Sequence, residues 1–326
     1  MKVLYLMQTY KNPSLIKRVV NTIKTSSPNS QILISHDRNF SSLLKQEDFE
    51  GVSGVNVIYN RGGRGDFSTD LGYLKGLEWL FDNQIDFDWL VNLSSGQDYP
   101  TQPLPLFEQF LSRTKYDGFI ECRDVLSSNG YYGLRESLNR YYYQYWHSGL
   151  QLSKWQRGLV KPIRALVNNT QPFVRIGSTY QLSLGIRDQK KFSGSFKCYG
   201  GSYFKILSYN CAKYLHETVQ KRSDLIEYYK KTIVPEESFV QTILANSGLF
   251  NLCDHNYFYI NWKGTKDGHP NILTVADYPA MTREEDYFFA RKFDPDVDSQ
   301  ILDLLDQRIF GHSKLEKPRV VAQDLN

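Results

Sequence analysis

The chain lacks the features that would place it in a membrane-spanning, metal-binding or disulfide-rich class. No apolar run in its 326 residues approaches the roughly 18 residues of a transmembrane helix. The four cysteines are widely spaced and form no CxxC pair, and the six histidines form no HExxH cluster, so no zinc pattern is present. A net charge of +4 is too small to predict nucleic-acid binding.

The N-terminus also lacks the apolar core and cleavage site of a signal peptide, because strand-like residues begin at Lys2. We therefore expect a cytoplasmic protein, whose contact with a membrane would be peripheral and at its inner face.

Acidic residues are absent between Ser137 and Arg187, a stretch that holds seven lysines and arginines and many aromatic residues. Within it, residues 154–167 have the spacing of a basic amphipathic helix. One hypothesis is that residues 140–175 contact an anionic partner, either membrane lipid or a phosphorylated acceptor. The other is a solvated basic face whose aromatic side chains lie in the core.

Strands and helices alternate in the first third of the chain. The hydrophobic pattern predicts strands over 2–8, 31–35, 55–59 and 89–93, and helices over 13–25 and 68–81. This alternation predicts an α/β fold with a mostly parallel sheet and helices on both faces. Later predicted elements are strands over 202–207 and 257–262, helices on either side of 234–237, and helices over about 283–293 and 296–305.

The most informative segment is NLSSGQDYP, residues 92–100, which follows an apolar strand and is rich in small polar side chains. Ligands in open α/β sheets bind beyond the carboxyl ends of strands, so this loop is a candidate binding loop. A tight turn that satisfies its own backbone would have the same composition.

This segment resembles the NLSGQDYP signature of the core-2/I-branching and peptide xylosyltransferase family of glycosyltransferases, with one additional serine. Further blocks resemble the family in the same order: GGSYF at 200–204, PEE at 235–237, an aromatic block with HP at 257–270 and FARKFD at 289–294. The resemblance runs from about Tyr5 to Ile309. It implies one GT-A-like domain over 1–311, with a nucleotide-binding half over about 1–120, an acceptor and catalytic half over about 121–311, and a polar tail over 312–326.

Glu236 and Glu237 follow a proline and precede a predicted helix. Acidic residues at this place favour the helix dipole, so capping alone would explain them. The resemblance implies instead that Glu237 is the catalytic base, and it places Glu236 beside it on the acceptor side. A base is needed because a hydroxyl group is a poor nucleophile at neutral pH.

The leaving group of a nucleotide sugar is a diphosphate, which requires positive charge. Asp86 and Asp88 have the Asp-x-Asp spacing of a metal site, but they precede their strand and so lie at the wrong end for a ligand. The resemblance implies that Lys292 contacts the diphosphate without a metal, with Arg291 as a second candidate. A helix C-terminus would also favour cations at these positions.

The donor and acceptor contacts are predicted from the remaining blocks. Asp37 follows the second strand, and RGDFS, residues 64–68, follows the third and leads into a helix, which suits a nucleotide. The predicted donor contacts are Asp37, Arg64, Asp66, Ser68, Arg291 and Lys292. Tyr203 and Trp262, with Glu236, are the predicted acceptor contacts, although a buried core position would equally explain a tryptophan.

The resemblance thus implies inverting transfer of N-acetylglucosamine or xylose from a UDP-sugar to a glycan or polypeptide hydroxyl group, with no cofactor. Two alternatives remain: a carbohydrate- or membrane-binding protein that has lost catalysis, and a hydrolase. A glycosidase requires two carboxylates that face each other across the substrate, and adjacent glutamates on a helix do not meet this requirement.

Overall fold

The structure is a computed structural model that describes residues 1–39, 44–63, 65–94, 96–150, 152–178, 181–265, 269–283 and 287–311. The strands are β1 (Val3–Thr9), β2 (Gln31–Asp37), β3 (Val55–Asn60), β4 (Trp89–Ser94), β5 (Asp98–Pro100), β6 (Gly118–Ile120), β7 (Arg123–Asp124), β8 (Tyr143–His147), β9 (Val174–Gly177), β10 (Ser183–Arg187), β11 (Tyr199–Gly200), β12 (Lys205–Ser208), β13 (Leu252–Cys253), β14 (Phe258–Ile260) and β15 (Phe289–Arg291). The helices are α1 (Pro13–Ser26), α2 (Ser68–Asp82), α3 (Leu104–Arg113), α4 (Leu134–Tyr141), α5 (Lys154–Thr170), α6 (Tyr209–Lys221), α7 (Ser223–Tyr229), α8 (Phe239–Ser247), α9 (Tyr278–Arg283) and α10 (Gln300–Gly311).

A central sheet organises the fold. Within the described ranges it has seven strands in the order β13-β6-β12-β4-β1-β2-β3. The strands β3, β2, β1 and β4 are parallel, whereas β12 runs antiparallel to both β4 and β6. The predicted α/β class with a mostly parallel sheet is confirmed.

Helices cover both faces of this sheet because its strands bury side chains on both sides. In β1, Val3, Tyr5 and Met7 face a core that includes side chains of α1, α3 and α10. Leu4 and Leu6 face the opposite core, which includes side chains of α2, α6 and α8. A strand buried on both faces reads as a continuous apolar run, which explains why β1 and β4 are conspicuous in the sequence.

The predicted elements of the first third match the structure to within two residues, but one later prediction is wrong. Among the described residues of the helix predicted over about 283–293, only Arg283, which ends α9, is helical, and Phe289–Arg291 form β15 instead. This strand pairs with β14 and β5 in a separate small sheet. Its aromatic residues are buried by neighbouring strands, so their hydrophobicity did not distinguish strand from helix.

The helix predicted over 296–305 begins later, at Gln300. Asp298 precedes it, and its Oδ1 atom accepts hydrogen bonds from the backbone of Gln300 and Ile301 at 2.9 and 3.2 Å. Asp298 thus caps the first turn of α10.

The acid-free middle segment forms a small antiparallel sheet, β8-β10-β9, with α5 packed on β9. Its aromatic residues divide into two groups, since Tyr141, Tyr142, Tyr143 and Tyr145 are buried whereas Trp146 and Trp155 are exposed. Helix α5 begins with a capping box in which Ser153 and Gln156 bond each other's backbone, and it contains no buried residue. No helix in the described ranges is long and apolar enough to cross a lipid bilayer.

Candidate active site

A cavity of about 1020 Å³ opens at the carboxyl ends of the parallel strands. Tyr10 and Lys11 follow β1, Asp37 ends β2, and Ser94 ends β4, and all four line the cavity. This is the edge of an open α/β sheet at which ligands bind, and the volume is typical of a ligand site. The polar loop after β4 therefore lies where a binding loop is expected.

Segments far apart in the sequence complete the cavity. Glu236 and Glu237 enter it from a 3₁₀ turn, Arg291 and Lys292 from the end of β15, and Trp262 from the loop after β14. The other wall residues are Gly63, Gly65, Thr69, Gln97, Tyr131, Tyr132, Glu136, Arg140, Ser202, Tyr203, Phe204, Ile260, His269 and Pro270.

Glu237 is held by two side chains that donate to the same carboxylate oxygen. Arg140 donates from Nη1 to Oε2 at 2.6 Å, and the Tyr132 hydroxyl group donates to Oε2 as well. Among the described residues, none donates a hydrogen bond to the other oxygen, Oε1. The carboxylate is thus fixed in orientation while one of its oxygens is left for a ligand in the cavity.

The backbone of this turn differs from the predicted helix start. Val234 adopts a φ of +54°, a left-handed conformation that is rare for a β-branched residue, and a short 3₁₀ turn over Pro235–Glu237 follows it. Helix α8 begins only at Phe239. Since the Glu237 carboxylate bonds Tyr132 and Arg140, helix capping does not explain its position. Strained backbone of this kind is concentrated at functional sites.

Glu236 has a different environment from its neighbour. Its Oε2 atom is buried and has no hydrogen-bond partner among the described residues. Burial, followed by the nearby carboxylate of Asp70, raises the pKa of Glu236 well above its usual value. The two adjacent carboxyl groups therefore lie in different environments, since Glu237 is paired with a guanidinium group whereas Glu236 is buried without a cationic partner among the described residues.

A buried lysine lies behind Glu236. Lys205 donates from Nζ to the Tyr203 carbonyl oxygen at 2.8 Å and lies 4.4 Å from the centre of the Tyr73 ring. Burial lowers the pKa of Lys205 to about 8, against the opposing effect of Asp70. Burial has the opposite effect on the acidic group and raises the pKa of Asp70 to about 7. This polar cluster lies under the cavity and between helix α2 and the sheet.

Arg291 and Lys292 lie at the end of β15, where both line the cavity. The Arg291 guanidinium group lies 4.5 Å from the Phe204 ring centre and 3.6 Å from Asp98 Oδ1. Burial nevertheless raises the pKa of Asp98 to about 6, because at this distance the ion pair does not outweigh the loss of solvation. The alternative that these cations sit at a helix C-terminus is wrong, because they end a strand.

Only some of the residues predicted to contact the donor line the cavity. Asp37 lines the cavity, and its Oδ1 atom also accepts a hydrogen bond from the Asn39 backbone at 2.9 Å. Asp66 and Ser68 are not among the wall residues, since Asp66 Oδ1 bonds the backbone and hydroxyl group of Ser68 at the start of α2. Asp66 and Ser68 therefore stabilise the conformation of the loop that precedes α2 and do not form part of the cavity wall. Arg64 lies outside the described residues.

The predicted acceptor residues Tyr203 and Trp262 both line the cavity. The Tyr203 hydroxyl group donates to Gln8 Oε1, so it is engaged within the protein. Trp262 is 50% exposed, which excludes the alternative of a core position. Position 201 requires a glycine, because a Cβ atom there would lie 1.8 Å from the Glu121 carbonyl oxygen.

The described residues contain no group of three or more His, Cys, Asp or Glu side chains placed to hold a metal ion. Asp86 pairs with Lys2 Nζ, and Asp88 accepts a hydrogen bond from the Lys2 backbone, at the amino end of β4. The Asp-x-Asp pair thus lies where its sequence position indicates, at the opposite end of the strand from the cavity.

Sequence reasoning did not assign site roles to Tyr132, Arg140 and Lys205. Arg140 belongs to the basic stretch for which one of the two hypotheses predicts an anionic partner, yet its guanidinium group binds Glu237. Nothing local distinguishes it from the other arginines of that stretch. Only Lys205 gives a local signal, because it stands between the apolar residues Phe204 and Ile206 at the start of strand β12.

Comparison with known proteins agrees with the motifs. The family model described as "Branch: Core-2/I-Branching enzyme" matches residues 4–285. The chain belongs to this family. It is 28% identical over 259 residues to Xylosyltransferase oxt of Drosophila melanogaster, covering 73% of this chain and 25% of that protein. It is 23% identical over 241 residues to Xylosyltransferase 2 of Homo sapiens, covering 69% and 24%. The chain thus spans about a quarter of the length of these relatives.

Solved structures overlap with this chain only loosely. The galactosyltransferase LgtC, in complex with donor and acceptor sugar analogs, gives a TM-score of 0.36 at 11% identity, covering 90% of this chain and 88% of LgtC. The nucleoside-diphosphate-sugar pyrophosphorylase of Vibrio cholerae RC9 gives a TM-score of 0.35 at 12% identity, covering 78% and 91%. The α/β class therefore rests on the topology of this chain itself.

Proposed function

We propose that this protein is an inverting glycosyltransferase with a GT-A-like fold that uses a UDP-sugar donor. The acceptor is a hydroxyl group of a glycan or polypeptide, and the sugar is N-acetylglucosamine or xylose. The observation that carries the proposal is one cavity at the carboxyl edge of the sheet that contains both a held carboxylate, Glu237, and a cationic pair, Arg291 and Lys292. The family membership and the xylosyltransferase relatives support it.

Glu237 acts as the general base in this proposal. Its carboxylate accepts the proton of the acceptor hydroxyl group, whose oxygen attacks the anomeric carbon as the bond to the diphosphate oxygen breaks. UDP leaves with the electron pair, and the anomeric centre is inverted in one step. Arg140 and Tyr132 support this role because they fix the carboxylate through Oε2 alone.

Lys292, with Arg291, stabilises the negative charge that develops on the diphosphate. Two cations at fixed positions can replace a divalent metal as the electrostatic partner of the leaving group. We therefore propose that no metal is required. Asp37 at the end of β2 is positioned to bind the nucleoside, and Trp262 offers an exposed ring to the acceptor sugar.

We also propose peripheral membrane contact through the segment over 140–175. Helix α5 exposes four large apolar side chains at helical spacing, each at least 60% exposed: Trp155, Leu159, Ile163 and Leu166. We call these four residues the apolar stripe. A stripe of this kind on a helix that also carries Lys154, Arg157, Lys161 and Arg164 suits an interface rich in anionic lipid.

Donor binding tests the central proposal. UDP, UDP-N-acetylglucosamine and UDP-xylose are titrated by calorimetry, first with EDTA and then with manganese. We expect one UDP-sugar to bind in EDTA, with binding weakened at least about tenfold in Lys292→Ala. Lys263→Ala, which removes a nearby exposed cation that does not line the cavity, is the matched control.

Two other outcomes contradict parts of the proposal. Binding that requires manganese would reject the role of Lys292 as a metal substitute but retain a transferase. No UDP binding in either condition would reject the UDP-sugar donor and favour a carbohydrate- or membrane-binding protein on the same fold.

A further inference from the structure

A second cavity, of about 380 Å³, lies between helices α4 and α5 and strand β9. Its walls contain four cationic side chains: Arg135 from α4, Lys161 and Arg164 from α5, and Arg175 from β9. The remaining walls include amide and hydroxyl side chains such as Asn139 and Ser178. This cavity therefore gathers positive charge from three separate elements.

Three of the four cations have neutral partners. Arg164 donates from Nη1 to Ser178 Oγ at 2.7 Å, and Arg135 donates to Asn169 Oδ1. Arg175 lies 5.6 Å from the centre of the Tyr143 ring. Within the described ranges, no carboxylate lines the cavity or forms an ion pair with any of the four. Like charges brought together in this way repel each other, and a bound anion would reverse the sign of that interaction.

Helix α4 separates this cavity from the active site. Arg135 and Asn139, four residues apart, line the basic cavity, whereas Glu136 and Arg140 line the catalytic one. This is the spacing that places residues on one face of a helix. Ile233, which also lines the basic cavity, donates its backbone N–H to the Arg140 carbonyl oxygen at 3.1 Å. The basic cavity is therefore a separate site, joined to Arg140 through helix α4 and this backbone hydrogen bond.

We propose that the basic cavity binds a phosphate or diphosphate group. Guanidinium groups match phosphate oxygens in bidentate geometry, and three of the four cations are arginines. The volume lies at the lower end of the range for ligand sites, which suits a group of this size rather than a nucleotide. The phosphate belongs either to a soluble phosphorylated ligand or to the headgroup of a lipid.

The test uses pyrophosphate as the probe, titrated by calorimetry at low salt into the full-length protein. Pyrophosphate is also expected to bind at Lys292, so the titrations use Lys292→Ala protein. In this background Arg291 still offers a weakened second site, and we expect the tighter site to be weakened at least about tenfold when Arg164→Ala and Arg175→Ala are added. Arg157→Ala, on the same helix but away from the cavity walls, should leave binding unchanged.

Two results would overturn the proposal: absence of pyrophosphate binding to folded Lys292→Ala protein, or binding that the added arginine substitutions leave unchanged. Lys161→Glu is a second variant in which pyrophosphate binding should be lost. Because Lys161 is exposed, this substitution leaves the core intact, so misfolding would not explain the loss. Failure of the UDP-sugar titration would not affect this result, so the two proposals can fail separately.

A second arm identifies the source of the phosphate. The same variants are mixed with phosphatidylcholine vesicles with and without phosphatidic acid, and bound protein is measured by sedimentation. If Arg164→Ala with Arg175→Ala loses the preference for phosphatidic acid, the ligand is a lipid headgroup. If that preference is retained while pyrophosphate binding is lost, the ligand is a soluble phosphorylated compound.

Discussion

Two adjacent glutamates illustrate how environment separates residues of the same type. Glu237 is bound by Arg140 and Tyr132 and lines the cavity. Glu236 lies beside Asp70, and burial raises its pKa. Two carboxyl groups in environments this different can divide the work of a site, since a raised pKa favours the protonated form of one of them.

Substitution of each glutamate by glutamine should therefore have different consequences. In Glu237→Gln we expect the turnover rate to fall by roughly 10²–10⁴-fold, because the proposed general base is removed. In Glu236→Gln we expect a change of less than about tenfold, because a neutral amide of similar shape replaces a buried carboxyl group whose raised pKa favours its neutral form. The measurement is UDP release from whichever donor binds.

Donor affinity is the control for this pair of variants, since neither glutamate is assigned to the diphosphate. Equal losses of turnover in both variants, at unchanged donor affinity, would show that Glu237 has no special role.

At the scale of elements, strand β15 and helix α5 determine what the protein presents to its ligands. Strand β15 delivers Arg291 and Lys292 to the cavity by pairing with β5, the strand that follows the polar loop. Helix α5 is unusual for a surface helix because its apolar stripe is exposed, whereas such stripes normally face the core. Exposed apolar surface of this extent indicates an interaction site.

The apolar stripe gives a prediction for membrane binding. Leu159→Ser with Leu166→Ser should reduce sedimentation with anionic vesicles at least about tenfold, because apolar area entering the interface is lost. The midpoint of thermal unfolding should change little, since both side chains are more than 60% exposed. Leu249→Ser, at an equally exposed leucine after α8, is the matched control.

Vesicle binding that persists in the double variant would exclude the stripe as the membrane contact. Equal binding to neutral and to anionic vesicles would exclude any contribution from the cations of this segment.

At the scale of the whole molecule, two apolar layers enclose the sheet, and a buried polar cluster interrupts one of them under the active site. Asp70, Asp98 and Glu236 all have raised pKa values because of burial. The folded protein then keeps protons that the unfolded chain releases, so each group makes unfolding easier as the pH rises above about 4. For each group, the free energy of unfolding continues to fall until the pH reaches the pKa of that group in the folded protein.

Stability at two pH values tests this cluster. The free energy of unfolding in urea should fall less between pH 5 and pH 8 in Glu236→Gln than in the unmodified protein, because glutamine releases no proton. One proton corresponds to roughly 1.4 kcal/mol per pH unit, which sets the upper limit of the difference in slope. Identical slopes in both proteins would mean that Glu236 is ionised in the folded state.

Much of the fold could be predicted because hydrophobic periodicity is local. Helix α1 and strands β1, β2, β3 and β4 lie within two residues of their predicted bounds. Strand β15 could not be distinguished from a helix, because its short aromatic run owes its conformation to pairing with β5 and β14. Of the predicted site residues that the structure describes, Asp66 and Ser68 are not wall residues because they bond each other.

The sequence alone determined the α/β class, the edge of the sheet at which the site lies and the family resemblance, because these depend on patterns within short segments. Only the tertiary structure decided that Arg140 and Tyr132 hold Glu237, that Lys205 lies beneath the cavity, and that Arg135 and three cations of the middle segment line a second cavity. These contacts join residues distant in the chain, and no local pattern encodes them. Burial, which shifts the pKa values of the site, is likewise a property of the packed molecule.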